Sequence, residues 1–95
     1  MAWTVRWDER AVKDAKKLDS AARQRIRQFL RERIATDEDP RRLGKALNTD
    51  EADFWSYRVG DYRIVCRIVD ERVIVTVVAV GHRSRVYGMR RLRPR

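Results

Sequence analysis

Phe54-Trp55-Ser56-Tyr57-Arg58-Val59, then Gly60-Asp61, then Tyr62-Arg63-Ile64-Val65-Cys66-Arg67-Ile68-Val69, then Asp70-Glu71-Arg72, then Val73-Ile74-Val75-Thr76-Val77-Val78-Ala79-Val80: this run decides the fold. Segments rich in β-branched and aromatic residues are parted by the turn-forming pairs Gly60-Asp61 and Asp70-Glu71. The pattern predicts an antiparallel meander of three strands. Side chains alternate between the faces of a strand, so Trp55, Tyr57 and Val59 share one face, and Tyr62, Ile64, Cys66 and Ile68 share one on the next strand. That makes an apolar core face. The opposite face, expected to be open, carries Ser56, Arg58, Arg63 and Arg67 in mid-strand. The last strand is apolar on both faces, with Val73, Val75, Val77 and Ala79 alternating with Ile74, Thr76, Val78 and Val80. A central strand covered on both sides would read this way.

Upstream, Trp3, Val5 and Trp7 alternate with Ala2, Thr4 and Arg6, which predicts a short first strand. Asp8 is the expected cap of a helix carrying Ala11, Ala15 and Leu18 at helical spacing, with Lys16 and Lys17 in its last turn. Asp19 or Ser20 caps a second helix, whose apolar stripe is Ala22, Ile26, Phe29, Leu30 and Ile34. Arg23, Arg25, Arg27, Arg31 and Arg33 cover its other faces and read as a solvated surface. Pro40 cannot continue a helix. Residues 41–53 read as one long connection.

The order is β-α-α-β-β-β. Two amphipathic helices need an apolar surface, and the sheet offers one. The expectation is a single α+β domain over residues 1–95, in two layers. Both N-terminal helices pack on one face of a small, mainly antiparallel four-stranded sheet. The apolar last strand is expected to lie between the first strand and the middle strand of the meander.

The chain has 95 residues, a net charge of +9 and 43% hydrophobic residues. That is enough for one small core. Nineteen of its 23 basic residues are arginines, and the sequence pI is about 10.8. Such a balance calls for an anionic partner, most simply nucleic acid, with an acidic protein as a compatible second. Cys66 is the single cysteine, so no disulfide framework is possible and a reducing cytoplasm is expected. One His and one Cys cannot build a zinc site. No apolar run approaches a membrane span and the N-terminus shows no signal-peptide pattern, so no membrane role is expected.

The element order, the block Tyr57-Arg58-Val59-Gly60-Asp61-Tyr62-Arg63, the later Val80-Gly81-His82-Arg83 and the closing Val86-Tyr87 resemble the RelE/ParE superfamily of bacterial toxin–antitoxin toxins. So do Trp7-Asp8-Glu9-Arg10-Ala11 and the Leu43 to Leu47 segment. The resemblance implies a compact toxin neutralised by a cognate acidic or amphipathic antitoxin. Its RelE branch cleaves mRNA in the ribosomal A site, and its ParE branch poisons DNA gyrase. Arg58, Arg63, Arg83 and Tyr87 match positions of the nuclease branch, and His82 occupies one that is often basic there. Ser56 departs from the branch, which has a second basic residue at that place. The Arg83 and Tyr87 pair favours the nuclease. A gyrase inhibitor without catalysis and a basic RNA-binding module are the alternatives.

The chemistry that the resemblance implies is attack by the substrate's own 2′-hydroxyl, without metal or small-molecule cofactor. No Asp/Glu cluster suited to magnesium stands in the meander strands. Arg58 and Arg63 suit the developing phosphorane charge, because guanidinium forks bind phosphate bidentately. Neither can act as a base, since arginine stays protonated. Proton transfer then falls to His82, Tyr87 or Lys45, and His82 alone has an unperturbed pKa suited to both directions. The expected catalytic set is Arg58, Arg63, His82, Arg83 and Tyr87. Lys45, Ser56, Arg67 and Arg85 are expected to touch RNA. Tyr62 and the three tryptophans read as core or edge packing.

Overall fold

The computed structural model describes residues 2–47 and 54–82. The first strand, β1, is Thr4–Trp7, followed by helices α1 (Glu9–Lys16) and α2 (Ser20–Phe29). The second helix runs on into one wide π turn, Leu30–Ile34, and the chain then makes a 3-10 turn at Pro40–Arg42. Strands β2 (Lys45–Ala46), β3 (Phe54–Val59), β4 (Tyr62–Val69) and β5 (Ile74–His82) complete the order. The sheet has five strands in the order β1-β5-β4-β3-β2. The pair β1/β5 is parallel and the others are antiparallel. As expected, β5 lies between β1 and the middle meander strand.

The fifth strand is a correction to the four-stranded expectation. Two residues of β2 inside the 41–53 segment pair with Ser56 and Trp55, and a strand that short leaves no periodic signal. Gly44 makes it possible. Its φ is +67°, and a Cβ there would collide with the Ser56 carbonyl oxygen and come within 2.8 Å of Tyr57 Cδ1.

Both helices begin where their caps predict. The Asp8 carboxylate accepts from Arg10 N–H (2.9 Å), and that of Asp19 accepts from Ala22 N–H (2.8 Å). Ala11 and Ala15 of α1 and Ala22, Ile26, Leu30 and Ile34 of the second helix are buried against the sheet. The first helix ends at Lys16, short of the expected Leu18. The wide turn closes with Ala35 N–H on the Leu30 carbonyl (2.8 Å). The Thr36 carbonyl then takes Trp3 N–H (2.8 Å), which ties the helix end to the start of the sheet.

The two-faced apolarity of β5 comes from a register shift. Val65 pairs with Ala79 but Cys66 pairs with Val77, so Val78 is an extra residue in the ladder. Before it, Val75 and Val77 face the helices. After it, Val80 does, in the row of Ile64, and all four are buried in the main core. Ala79 is turned to the other face. There it is buried with Val65, and Leu47, Phe54 and Val78 pack on the pair. The face expected to be open therefore holds a small second core at its centre. Past Trp7, β5 has no ladder partner on the β1 side among the described residues, and Val80 N–H is accepted by Asp14 Oδ2 of α1 (3.1 Å).

Tyr57 anchors the main core. It is 1% exposed, its hydroxyl donates to the Pro40 carbonyl (2.7 Å), and its ring centroid lies 5.6 Å from that of Phe29. Burial pushes the phenol well above its ordinary pKa, so it stays a donor at any physiological pH. Tyr57→Phe keeps the packing and orphans the Pro40 carbonyl, so a loss of about 1–3 kcal/mol in urea unfolding is expected. An unchanged midpoint would mean that water replaces the hydroxyl.

The 3-10 turn after β4 is pinned from outside. Arg41 grips Asp70 with both guanidinium nitrogens (2.9 and 2.8 Å), and this hydrogen bonding holds the Asp70 carboxyl below the usual range. Because the folded value is depressed, the pair's stabilisation is present above the unfolded value near 3.9 and is lost as pH falls through the folded one. Asp70 is exposed, which limits the gain to about 0.5 kcal/mol. In Arg41→Ala the Asp70 titration, followed by NMR, is expected to move up toward the free value; an unmoved midpoint would refute the grip. Among the described residues no helix is long and apolar enough to cross a membrane.

Candidate phosphate-binding face

Directly paired residues on neighbouring strands point to the same side of a sheet. Arg58 of β3 pairs with Arg63 of β4, and Arg63 pairs with Gly81 of β5. The three form one row on the side away from the helices, two arginines directly opposite one another and no side chain at the third place. Like charges directly opposite one another destabilise a sheet. An anion bound between them would offset that repulsion. Arg58 is exposed and its Nε donates to the Gly60 carbonyl across the turn (3.3 Å). Gly60 has φ +58°, the positive value that the first position of a two-residue hairpin turn favours. Arg63 is half-buried, with its Nε withdrawn from solvent. The hairpin thus presents one exposed arginine and one half-buried arginine.

The next row is Lys45, Ser56, Val65 and Ala79. Lys45 is exposed at the sheet edge, as an RNA contact needs. Ser56 lies on the expected face but is only 4% exposed, beside the second core, so its expected contact with RNA is corrected: it is a buried residue of the row. The third row brings together Phe54, Arg67, Thr76 and Arg6. Arg67 is exposed there, on the same face as Arg58 and Arg63.

His82 is not in this group. It pairs with Tyr62, and the two rings meet edge-on at 6.0 Å and 79°. Tyr62 packs on the main core, so the imidazole leaves the sheet on the helix side, exposed at the end of β5. Alternation within the strand separates it from Arg63 across the sheet. Arg83, Arg85 and Tyr87 lie outside the described residues. Trp55 packs on the main core and donates its indole N–H to the Leu43 carbonyl (2.6 Å), as a core tryptophan should.

Arg6 is a cation of this face that sequence reasoning left unused. Its alternation with Val5 and Trp7 marks it as polar, but only the parallel pairing with β5 sets it beside Thr76 and Arg67. Arg6, Arg58 and Arg67 form no ion pair among the described residues, whereas Arg41 and Arg42 are held by Asp39, Asp70 and Glu38. Two hollows of about 400 and 660 Å³, both lined by Trp7 and Arg27, lie on the helix side of β1, away from the arginine rows.

Residues 5–87 match the family described as the ParE toxin of type II toxin–antitoxin systems, parDE. The mRNA interferase toxin RelE of Escherichia coli K12 is 35% identical over 86 residues, covering 90% of this chain and 87% of that protein. Toxin RelG of Mycobacterium tuberculosis is 33% identical over 87 residues, covering 92% and 98%. Among solved structures, the toxin–antitoxin complex RelBE2 of Mycobacterium tuberculosis has a chain that superposes with TM-score 0.78 at 32% identity, covering 88% of this chain and 94% of that one. The intact RelBE toxin–antitoxin complex of Escherichia coli gives TM-score 0.68 at 29% identity, with 85% and 96% covered.

Proposed function

The chain belongs to the RelE/ParE family of toxins of type II toxin–antitoxin systems, and from that premise we propose that it is an endoribonuclease that cuts mRNA on the ribosome and is silenced by a cognate antitoxin. The observation that carries this reading is the Arg58–Arg63 pair, two arginines directly opposite one another on the sheet face away from the helices. A phosphodiester whose 2′-hydroxyl attacks the adjacent phosphorus gathers negative charge on its equatorial oxygens. Two guanidinium forks brought to that charge stabilise the transition state more than the ground state. The 2′-oxygen–phosphorus bond forms, the bond to the 5′-oxygen breaks, and a 2′,3′-cyclic phosphate and a 5′-hydroxyl remain. The proton leaves the 2′-oxygen and one returns to the 5′-oxygen. We assign that traffic to Tyr87 or Lys45, the candidates that remain because His82 faces the other side; Lys45 is exposed in the adjacent row. The similarity to an mRNA interferase and to toxins solved with their antitoxins supports both halves of the proposal. An acidic or amphipathic antitoxin segment would be drawn to this face by its charge.

A second reading has its own support, because the matching family carries the ParE description. Primer extension on a translated message after induction separates the two. New 5′ ends inside codons are the expected result. Intact message together with a DNA-damage response would replace the nuclease by a gyrase poison.

A further inference from the structure

The row Phe54, Arg67, Thr76 and Arg6 crosses four strands on the face that bears Arg58 and Arg63. With strands about 4.8 Å apart, the backbones of Arg67 and Arg6 stand roughly 10 Å apart, with Thr76 between them. Arg67 is four residues beyond Arg63 on β4, roughly 13 Å at strand rise. Between the two cation groups lies the apolar floor of Val65 and Ala79, with Phe54 and Val78 half-buried on it. Arg6 and Arg67 are both exposed, and the side chain of neither forms an ion pair among the described residues. Cations set around an aromatic ring on a flat surface form a platform for single-stranded nucleic acid: phosphates meet the charges and a base stacks on the ring. An acidic protein segment would meet the same charges. It would also want cavities for its anchor side chains, and the hollows beside Trp7 lie on the opposite side of the sheet.

We propose that Arg6, Arg67 and Phe54 form a second RNA subsite, in which the two arginines take backbone phosphates and Phe54 stacks a base several nucleotides from the scissile bond. The subsite lengthens the substrate contact across the whole sheet and sets where the message lies before it is cut. This rests on Arg58 and Arg63 forming the primary phosphate site.

The test uses the full chain and 2′-O-methyl RNA, which lacks the attacking hydroxyl. One oligonucleotide is short enough to occupy only the Arg58–Arg63 end, and the other is long enough to cross the sheet. Binding is read by fluorescence anisotropy over a range of salt. The wild-type protein is expected to hold the long oligonucleotide more tightly. Arg6→Gln with Arg67→Gln should abolish that advantage and lower the salt slope for the long oligonucleotide by about 1.4, two phosphates at about 0.7 each. Phe54→Leu keeps the floor apolar, and should cost the long oligonucleotide about tenfold with its slope unchanged. Arg6→Lys with Arg67→Lys should restore the slope. Equal losses on both lengths, no length advantage in the wild type, or a loss confined to antitoxin binding would each overturn the subsite. Failure of the primary reading shows separately, as short-oligonucleotide binding indifferent to Arg58→Gln.

Discussion

Arg63→Ala is expected to lower the single-turnover rate of mRNA cleavage on programmed ribosomes by on the order of 10²–10³, or about 3–4 kcal/mol of transition-state stabilisation. Arg63 is the more enclosed member of the pair, half-buried with its Nε out of solvent, and so has less freedom to reorganise than Arg58. The less a charge must reorganise during the reaction, the more its loss should appear in the rate rather than in binding. Arg58 is exposed beside the turn, and its removal should cost less in rate and relatively more in affinity. Arg63→Lys should recover only part of the rate, since an ammonium cannot make the two-point contact of a guanidinium with phosphate. Arg63→Ala is expected to stay folded, which thermal melting checks. A wild-type cleavage rate in a folded Arg63→Ala protein would remove the nuclease assignment from this face. A slow rate accompanied by a lower melting point would make the residue structural.

Gly44→Ala is expected to cost about 3 kcal/mol or more of stability, combining left-handed strain with overpacking. A Cβ at this position would run into the Ser56 carbonyl oxygen and press on the Tyr57 ring, and the φ of +67° disfavours any side chain. The Ser56 carbonyl belongs to β3, so the collision is with backbone and cannot be relieved by rotating a side chain. Relaxation would have to move β2 away from the sheet, taking Lys45 with it. For a domain of this size that is a large share of the total stability. Urea unfolding of Gly44→Ala beside the parent decides the matter, and a midpoint within error of the parent would mean that β2 is not held as described. If the variant is folded at low temperature, its RNA affinity should fall as well, because Lys45 leaves the row of Ser56.

Much of this protein can be read without coordinates. The two-residue turn at Gly60-Asp61, the caps Asp8 and Asp19, the apolar stripe ending at Ile34 and the central place of the last strand are all written in local chemistry. A cap or a turn is a property of a few neighbouring residues, and periodicity reports which side of an element meets the core. The same alternation puts Arg58, Arg63 and Arg67 on the face away from the helices. Three things depend on contacts between distant segments. The two-residue β2 exists because Gly44 lets the chain approach β3, and no stretch that short has a period of its own. The extra residue Val78 reverses the alternation of β5, so Val77 and Val80 share a face although odd and even positions should not, and Ala79 turns to Val65 in a second core. The same register sends His82 to the side of Tyr62 and brings Arg6, from the far end of the chain, into the row of Arg67. Alternation gives each strand two faces and says nothing of the offset between strands. That offset is set by packing in three dimensions, and it decides which charges share a surface.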